Sequence, residues 1–111
     1  MRKAFVSVLA LVAALIVPAA AQDVYYPGNG VTLPTVIKEV HLIGPIDAAI
    51  GIDCVVSPDG TVGEATVAAS PDPALDAVAI RALRQWRFQP GQRNGRPVPV
   101  RIYVEVSIDR Q

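Results

Sequence analysis

The sequence predicts a two-layer α+β domain, with one amphipathic helix covering one face of a small antiparallel sheet. Three observations predict it. Apolar residues alternate over Ile46–Val56 and again over Val98–Ile108, as in strands with one buried face. The segment "SPDGT" at 57–61 carries the residues of a tight hairpin turn. Between the alternating stretches, Leu75, Ala79, Ala82, Leu83 and Trp86 recur at helical spacing.

The 111 residues suffice for one domain. Arg2 and Lys3, the apolar run "AFVSVLALVAALIV", Pro18 and Ala19-Ala20-Ala21 form the n-region, h-region and small-residue cleavage site of a signal peptide over 1–21. The run from Ala4 to Val17 is shorter than the about 20 residues a spanning helix needs. The expectation is an exported protein cut before Gln22, the alternative an uncleaved membrane anchor. Cleavage leaves roughly 90 residues and a modest core. Lys+Arg and Asp+Glu both number 10, and losing Arg2 and Lys3 leaves a small acidic excess. No basic run points to nucleic acid. Cys54 is the only cysteine, so no internal disulfide forms.

Residues 22–45 read as lead-in or linker. "QDVYYPGNGVTLPT" is rich in Pro and Gly, and "VIKEVHLI" at 36–43 is a candidate extra strand stopped by Gly44-Pro45. The domain proper is expected over 46–111. Its first strand buries the parity of Ile46, Ala48, Ile50, Ile52, Cys54 and Val56. After the turn, a strand over 61–69 buries Ala65, Val67 and Ala69, with a bulge near Gly63 and Glu64. Asp72 fits a helix N-cap, Pro73 the first helical position and Asp76 the acidic first turn. The helix carries its stripe to Trp86 and must end before Pro90-Gly91. The last strand, 98–108, has the cleanest alternation. A right-handed crossover places it beside the first, giving three strands in the order 2-1-3, all neighbours antiparallel, with the last strand on an edge.

No catalytic constellation emerges. Cys54 lies on a buried parity, where a free cysteine acts as a small hydrophobe. His41 is the only histidine, which leaves no His-rich metal site. Asp47, Asp53 and Asp59 fall on solvent parity or in a turn. "PGNG" and "DGTVG" lack the strand, helix and Lys of a phosphate loop. Arg81, Arg84, Arg87, Arg93, Arg96 and Arg101 form the one charge cluster, without interleaved aromatics. The expectation is no enzyme, no cofactor, no metal and no small-molecule substrate.

Residues 57–108 resemble the C-terminal domain of TonB-type energy transducers. The resemblance rests on Pro58-Asp59-Gly60-Thr61-Val62, on Ser70, Asp76 and Ala79, on Trp86-Arg87-Phe88 with Pro90, and on Gly95 followed by Pro97-Val98. It implies a periplasmic domain of a Gram-negative bacterium that docks on outer-membrane receptors by taking up an extended segment, the TonB box, beside its last strand. Two features depart from the family. "HLIGPIDAAIGID" is too short for the usual first helix and alternates as strand. About 20 lead-in residues, reaching roughly 70 Å at most, stand where a transducer has a long Pro-rich spacer.

These readings converge on a protein-binding module. An edge strand presents unpaired N–H and C=O groups, so an extended receptor segment, or a second copy of the domain, is expected along 100–107. Arg101, Ile102, Tyr103 and Glu105 are the expected partner-binding residues of the strand, and Gln92, Arg93 and Asn94 border one end. Trp86, Phe88, Leu83, Ile52, Cys54, Val67 and Val104 are the expected core. The alternatives are an accessory or structural envelope protein that keeps the fold without receptor binding, and a true anchored transducer if residues 1–21 stay attached.

Overall fold

The computed structural model describes residues 23–111, so the signal segment expected over 1–21 lies outside the described residues. In chain order the elements are β1 (Thr35–Lys38), β2 (Leu42–Gly44), β3 (Ala48–Val56), β4 (Val62–Ala69), a 3-10 turn (Pro73–Leu75), α1 (Asp76–Leu83), β5 (Arg87–Gln89), β6 (Gln92–Arg93), β7 (Arg96–Pro97) and β8 (Val100–Arg110). The main sheet runs β2-β8-β3-β4.

The hairpin forms for local reasons. Ser57 accepts from the Gly60 N–H at 2.8 Å, and its own N–H donates to the Thr61 carbonyl at 2.8 Å. Pro58 and Asp59 occupy the corners, and Gly60 takes φ +84°, the left-handed step that closes a three-residue loop. The Asp59 carboxylate accepts from the Thr61 N–H (3.0 Å) and hydroxyl (2.6 Å), bonds that hold its pKa below the ordinary value. From this turn β3 and β4 pair antiparallel, with register shifts between Gly51 and Ile52 and between Cys54 and Val56. On its other side β3 meets β8 in an unbroken antiparallel register from Ala48↔Ile108 to Val56↔Val100.

Asp72 caps the 3-10 turn, its carboxylate accepting the Ala74 N–H at 3.0 Å. The helix then turns Ala79, Ala82 and Leu83 onto the sheet. With Ile50, Ile52, Cys54, Val56, Trp86, Phe88, Val106 and Ile108 they form the core, against which Val67, Ile102 and Val104 are half-buried.

Several expectations change. The sheet has four strands where three were expected. The long strands keep the order 2-1-3, but β2 adds parallel to the end of β8 through Leu42↔Ile108, Ile43↔Asp109 and Gly44↔Arg110. Hence not all neighbours are antiparallel, and β8 is an edge only over the stretch that β2 leaves uncovered. The first strand starts at Ala48, because Gly44-Pro45 ends β2 and Ile46 stays exposed.

The helix also stops earlier. Trp86 lies beyond it, its N–H donating to the Leu83 carbonyl at 3.0 Å. The reason is a change of period: Trp86 and Phe88 are buried while Arg87 and Gln89 are exposed. That alternation makes β5, which pairs with β1 through Val36↔Phe88. The candidate strand over 36–43 therefore divides between two sheets.

The lead-in is docked on the domain. Asn29 and Gly30 have positive φ, so "PGNGV" folds into a tight turn in which Gly28 and Val31 exchange main-chain bonds of 2.9 and 3.1 Å. Val31 is buried and bridges to Arg93. A second Asn-Gly turn, Asn94-Gly95, joins β6 to β7.

Candidate functional site

Both alternations of a strand, side chains up or down and main-chain groups left or right, have period two. Their phases in β8 can be read separately. Val106 and Ile108 are buried in the core beneath the helix and Val100 is buried beside Gly91, while Tyr103, Glu105 and Ser107 are exposed on the opposite face. The Arg101 N–H donates to the Tyr25 carbonyl at 2.8 Å and the Gln111 N–H to the Gly44 carbonyl at 3.1 Å, both on the side away from β3. Odd-numbered residues therefore direct their main-chain groups outward, and even-numbered ones bond to β3.

Outward groups at the ends of the strand are occupied, by Tyr25 at Pro99 and Arg101 and by β2 from the Ser107 carbonyl onward, which the parallel pair Leu42↔Ile108 engages. Between them lie the main-chain groups of Tyr103 and Glu105 and the N–H of Ser107. Among the described residues no strand or isolated bridge pairs with this edge. The opening leaves these three outward N–H groups and two outward carbonyls unpaired between the Tyr25 rung and β2.

Ile102 is the expected binding residue that this geometry removes. Its main chain faces β3 in the pair Cys54↔Ile102, and its side chain is half-buried against the core. Tyr103 is 53 % exposed and its ring lies over Gly51, whose missing side chain makes room for it. Arg101 reaches across β3 to Glu64 on β4 at 3.4 Å, an exposed pair worth little by itself. Glu105 is exposed and enters no ion pair among the described residues.

At the Val100 end, Gln92 donates its N–H to the Thr32 hydroxyl at 2.8 Å and accepts the Thr32 N–H at 2.9 Å. Asn94 supplies the positive-φ corner of the turn. The Arg93 guanidinium sits 5.2 Å from the centre of the Tyr25 ring, and a cleft of about 440 Å³ opens beside it, lined by Tyr25, Arg93, Asn94, Arg96 and Val98. Tyr25 has no counterpart among the expected site residues. Sequence offered only a weak signal for it, a β-favouring Tyr-Tyr pair just before a Pro-Gly turn.

The opposite edge of the sheet is built differently. β4 carries register shifts at both ends, and the Arg84 guanidinium donates to the Gly63 carbonyl at 2.9 Å. Bulges of this kind discourage edge pairing.

No three of the described His, Cys, Asp and Glu residues come together as metal ligands. Burial pushes the Cys54 thiol up from 9.0 to about 11, with the Asp53 carboxylate adding to the rise and Arg101 opposing it, so the sulfur is a poor nucleophile at neutral pH. His41 is at the surface, 2.7 Å from the Asp109 carboxylate. No helix among the described residues is long and apolar enough to cross a membrane.

No curated protein matches the chain. Residues 46–108, from the approach to β3 almost to the end of β8, match the profile of the Gram-negative bacterial TonB protein C-terminal domain. The match takes in the hairpin, the helix, the Trp86–Phe88 corner and the strand with the open edge, more than half of the chain, and the chain belongs to that family.

Proposed function

We propose that this domain works in the periplasm as a docking module, taking an extended segment of an outer-membrane receptor into the gap on the edge of β8. The family as a whole interacts with such receptors. The observation that carries the reading here is the uncovered run Tyr103–Ser107 on a strand whose register with β3 has no shift. Main-chain bonds at Tyr103, Glu105 and Ser107 would supply affinity. The side chains of Arg101, Tyr103 and Glu105, on the face away from the helix, would select the partner's residues, and Gln92, Arg93 and Asn94 would border the groove.

A pair of proline variants tests this. Tyr103→Pro removes an outward N–H that β3 does not use, a placement edge strands tolerate. Ile102→Pro removes an inward one and breaks the β3–β8 ladder. Tyr103→Pro should keep the melting transition and lose receptor capture from Gram-negative envelope extract, whereas Ile102→Pro should lose both. Receptor capture by folded Tyr103→Pro equal to wild type would refute edge docking. Self-association lost in the same variant would identify a second copy of the domain as the edge partner.

A further inference from the structure

The chain already places one rung of a strand on this edge. The Tyr25 N–H donates to the Pro99 carbonyl at 2.9 Å, and the Tyr25 carbonyl accepts the Arg101 N–H at 2.8 Å. The pairing is parallel and stops after one residue. Two prolines explain why. Continuing toward β2, the next rung would need an N–H from residue 27 to the Arg101 carbonyl, and Pro27 has none. Continuing the other way, it would need an N–H from residue 99, and Pro99 has none either. The contact cannot lengthen in either direction, and the turn at Gly28–Val31 carries the chain away from the strand.

Among the described residues, little else holds the segment. Tyr25 is half-buried with its ring under the Arg93 guanidinium, while Val24 and Tyr26 on either side are 41 % and 67 % exposed. Past Val31 the lead-in is secured by burial and by its bonds to Gln92. The weakly held part thus lies where the open gap begins.

We infer that Val24–Tyr26 is an intramolecular latch, a single displaceable rung that occupies the Arg101 end of the edge and is exchanged for a partner strand that pairs beyond Tyr103. Its regulatory consequence rests on the edge-docking reading. A partner spanning only Tyr103–Ser107 leaves the latch closed. One that also bonds the Arg101 N–H must open it, and its apparent affinity falls by the fraction of molecules in which the latch is closed. Two prolines limit the latch to one rung, so a partner with several rungs prevails over it.

Native-state amide exchange on the full chain, without any receptor, tests the latch independently of docking. In the wild type, the Arg101 amide should exchange through a local opening with almost no urea dependence, while Ile102 and Val104, bonded to β3, should follow global unfolding. Tyr25→Pro, which loses the N–H to Pro99 and the ring under Arg93, should speed Arg101 exchange by about tenfold and leave Ile102 and Val104 unchanged. An Arg101 rate unaltered by Tyr25→Pro would overturn the latch. Parallel acceleration at Ile102 and Val104, or an Arg101 urea dependence equal to theirs, would overturn it as well, by making the segment an integral part of the fold. Docking at Tyr103–Ser107 would stand or fall separately, on the receptor experiment.

Discussion

Trp86→Ala should destabilise the domain by about 3 kcal/mol. The indole is 4 % exposed and sits where the helix ends, with the Phe88 ring at 6.1 Å between centroids and tilted by 32°. A buried Trp removes about 200 Å² from water, worth roughly 5 kcal/mol at 25 cal/mol/Å². Against this, the indole Nε1–H is buried and has no acceptor among the described residues. Deleting it relieves a penalty of about 1–3 kcal/mol. The difference is a large share of the 5–15 kcal/mol typical of a small domain. Trp86→Phe separates the two contributions, since it keeps most of the apolar area and removes the unpartnered donor, and it should cost less than about 1 kcal/mol. Urea melts of both variants, read by circular dichroism, give the two values. A loss below about 1 kcal/mol in Trp86→Ala would refute the placement of the ring in the core, and equal losses in the two variants would refute the argument about the indole N–H.

Two further predictions concern single positions. Gly60→Ala should lower stability by roughly 2–4 kcal/mol, because φ +84° disfavours any Cβ and this one would meet the Phe88 carbonyl; a melt within about 0.5 kcal/mol of wild type would contradict the turn geometry. Cys54 should resist alkylation at pH 8 in the folded protein and react at the rate of unfolding. Because its pKa is raised on folding from 9.0 to about 11, its contribution to stability is complete below pH 9 and is lost as pH rises toward 11. Cys54→Ser should flatten that fall, and an unchanged profile would show that the thiol does not cause it.

The long strands, eight to eleven residues each, were legible because their inward side chains recur at every second position, Ile50 to Val56 in β3, Ala65 and Val67 in β4 and Val100 to Ile108 in β8. Gly51 and Val55 of β3 are nonetheless buried on its other face, and Ala69 of β4 is exposed. The hairpin and the Asp72 cap were legible because their chemistry is local. β2 was not. It has three residues, too few to show a period, and its partner lies more than 60 positions away at Ile108–Arg110. The stretch Trp86–Gln89 contains its own alternation, but four residues at the end of a helical stripe read as more helix. The candidate site was legible in part, for the same reason. Alternation says which side chains share a face, and so placed Tyr103 and Glu105 on the solvent side. It does not say toward which neighbour a residue's N–H points, which depends on where that neighbour pairs, so Ile102, whose main chain faces β3, and Tyr103, whose main chain faces outward, could not be told apart. Tyr25 could not be found from pattern at all, because a single rung has no period.

Docking on the edge of β8 would use the outward main-chain groups of Tyr103 and Glu105 and the N–H of Ser107. Amide exchange across 98–108, measured with and without a bound outer-membrane receptor, tests it most directly. Those three amides, on the uncovered edge in the free protein, should slow by at least about tenfold on binding, while Ile102 and Val104, already bonded to β3, should change little. A receptor that binds and leaves Tyr103, Glu105 and Ser107 exchanging as in the free domain would contradict it.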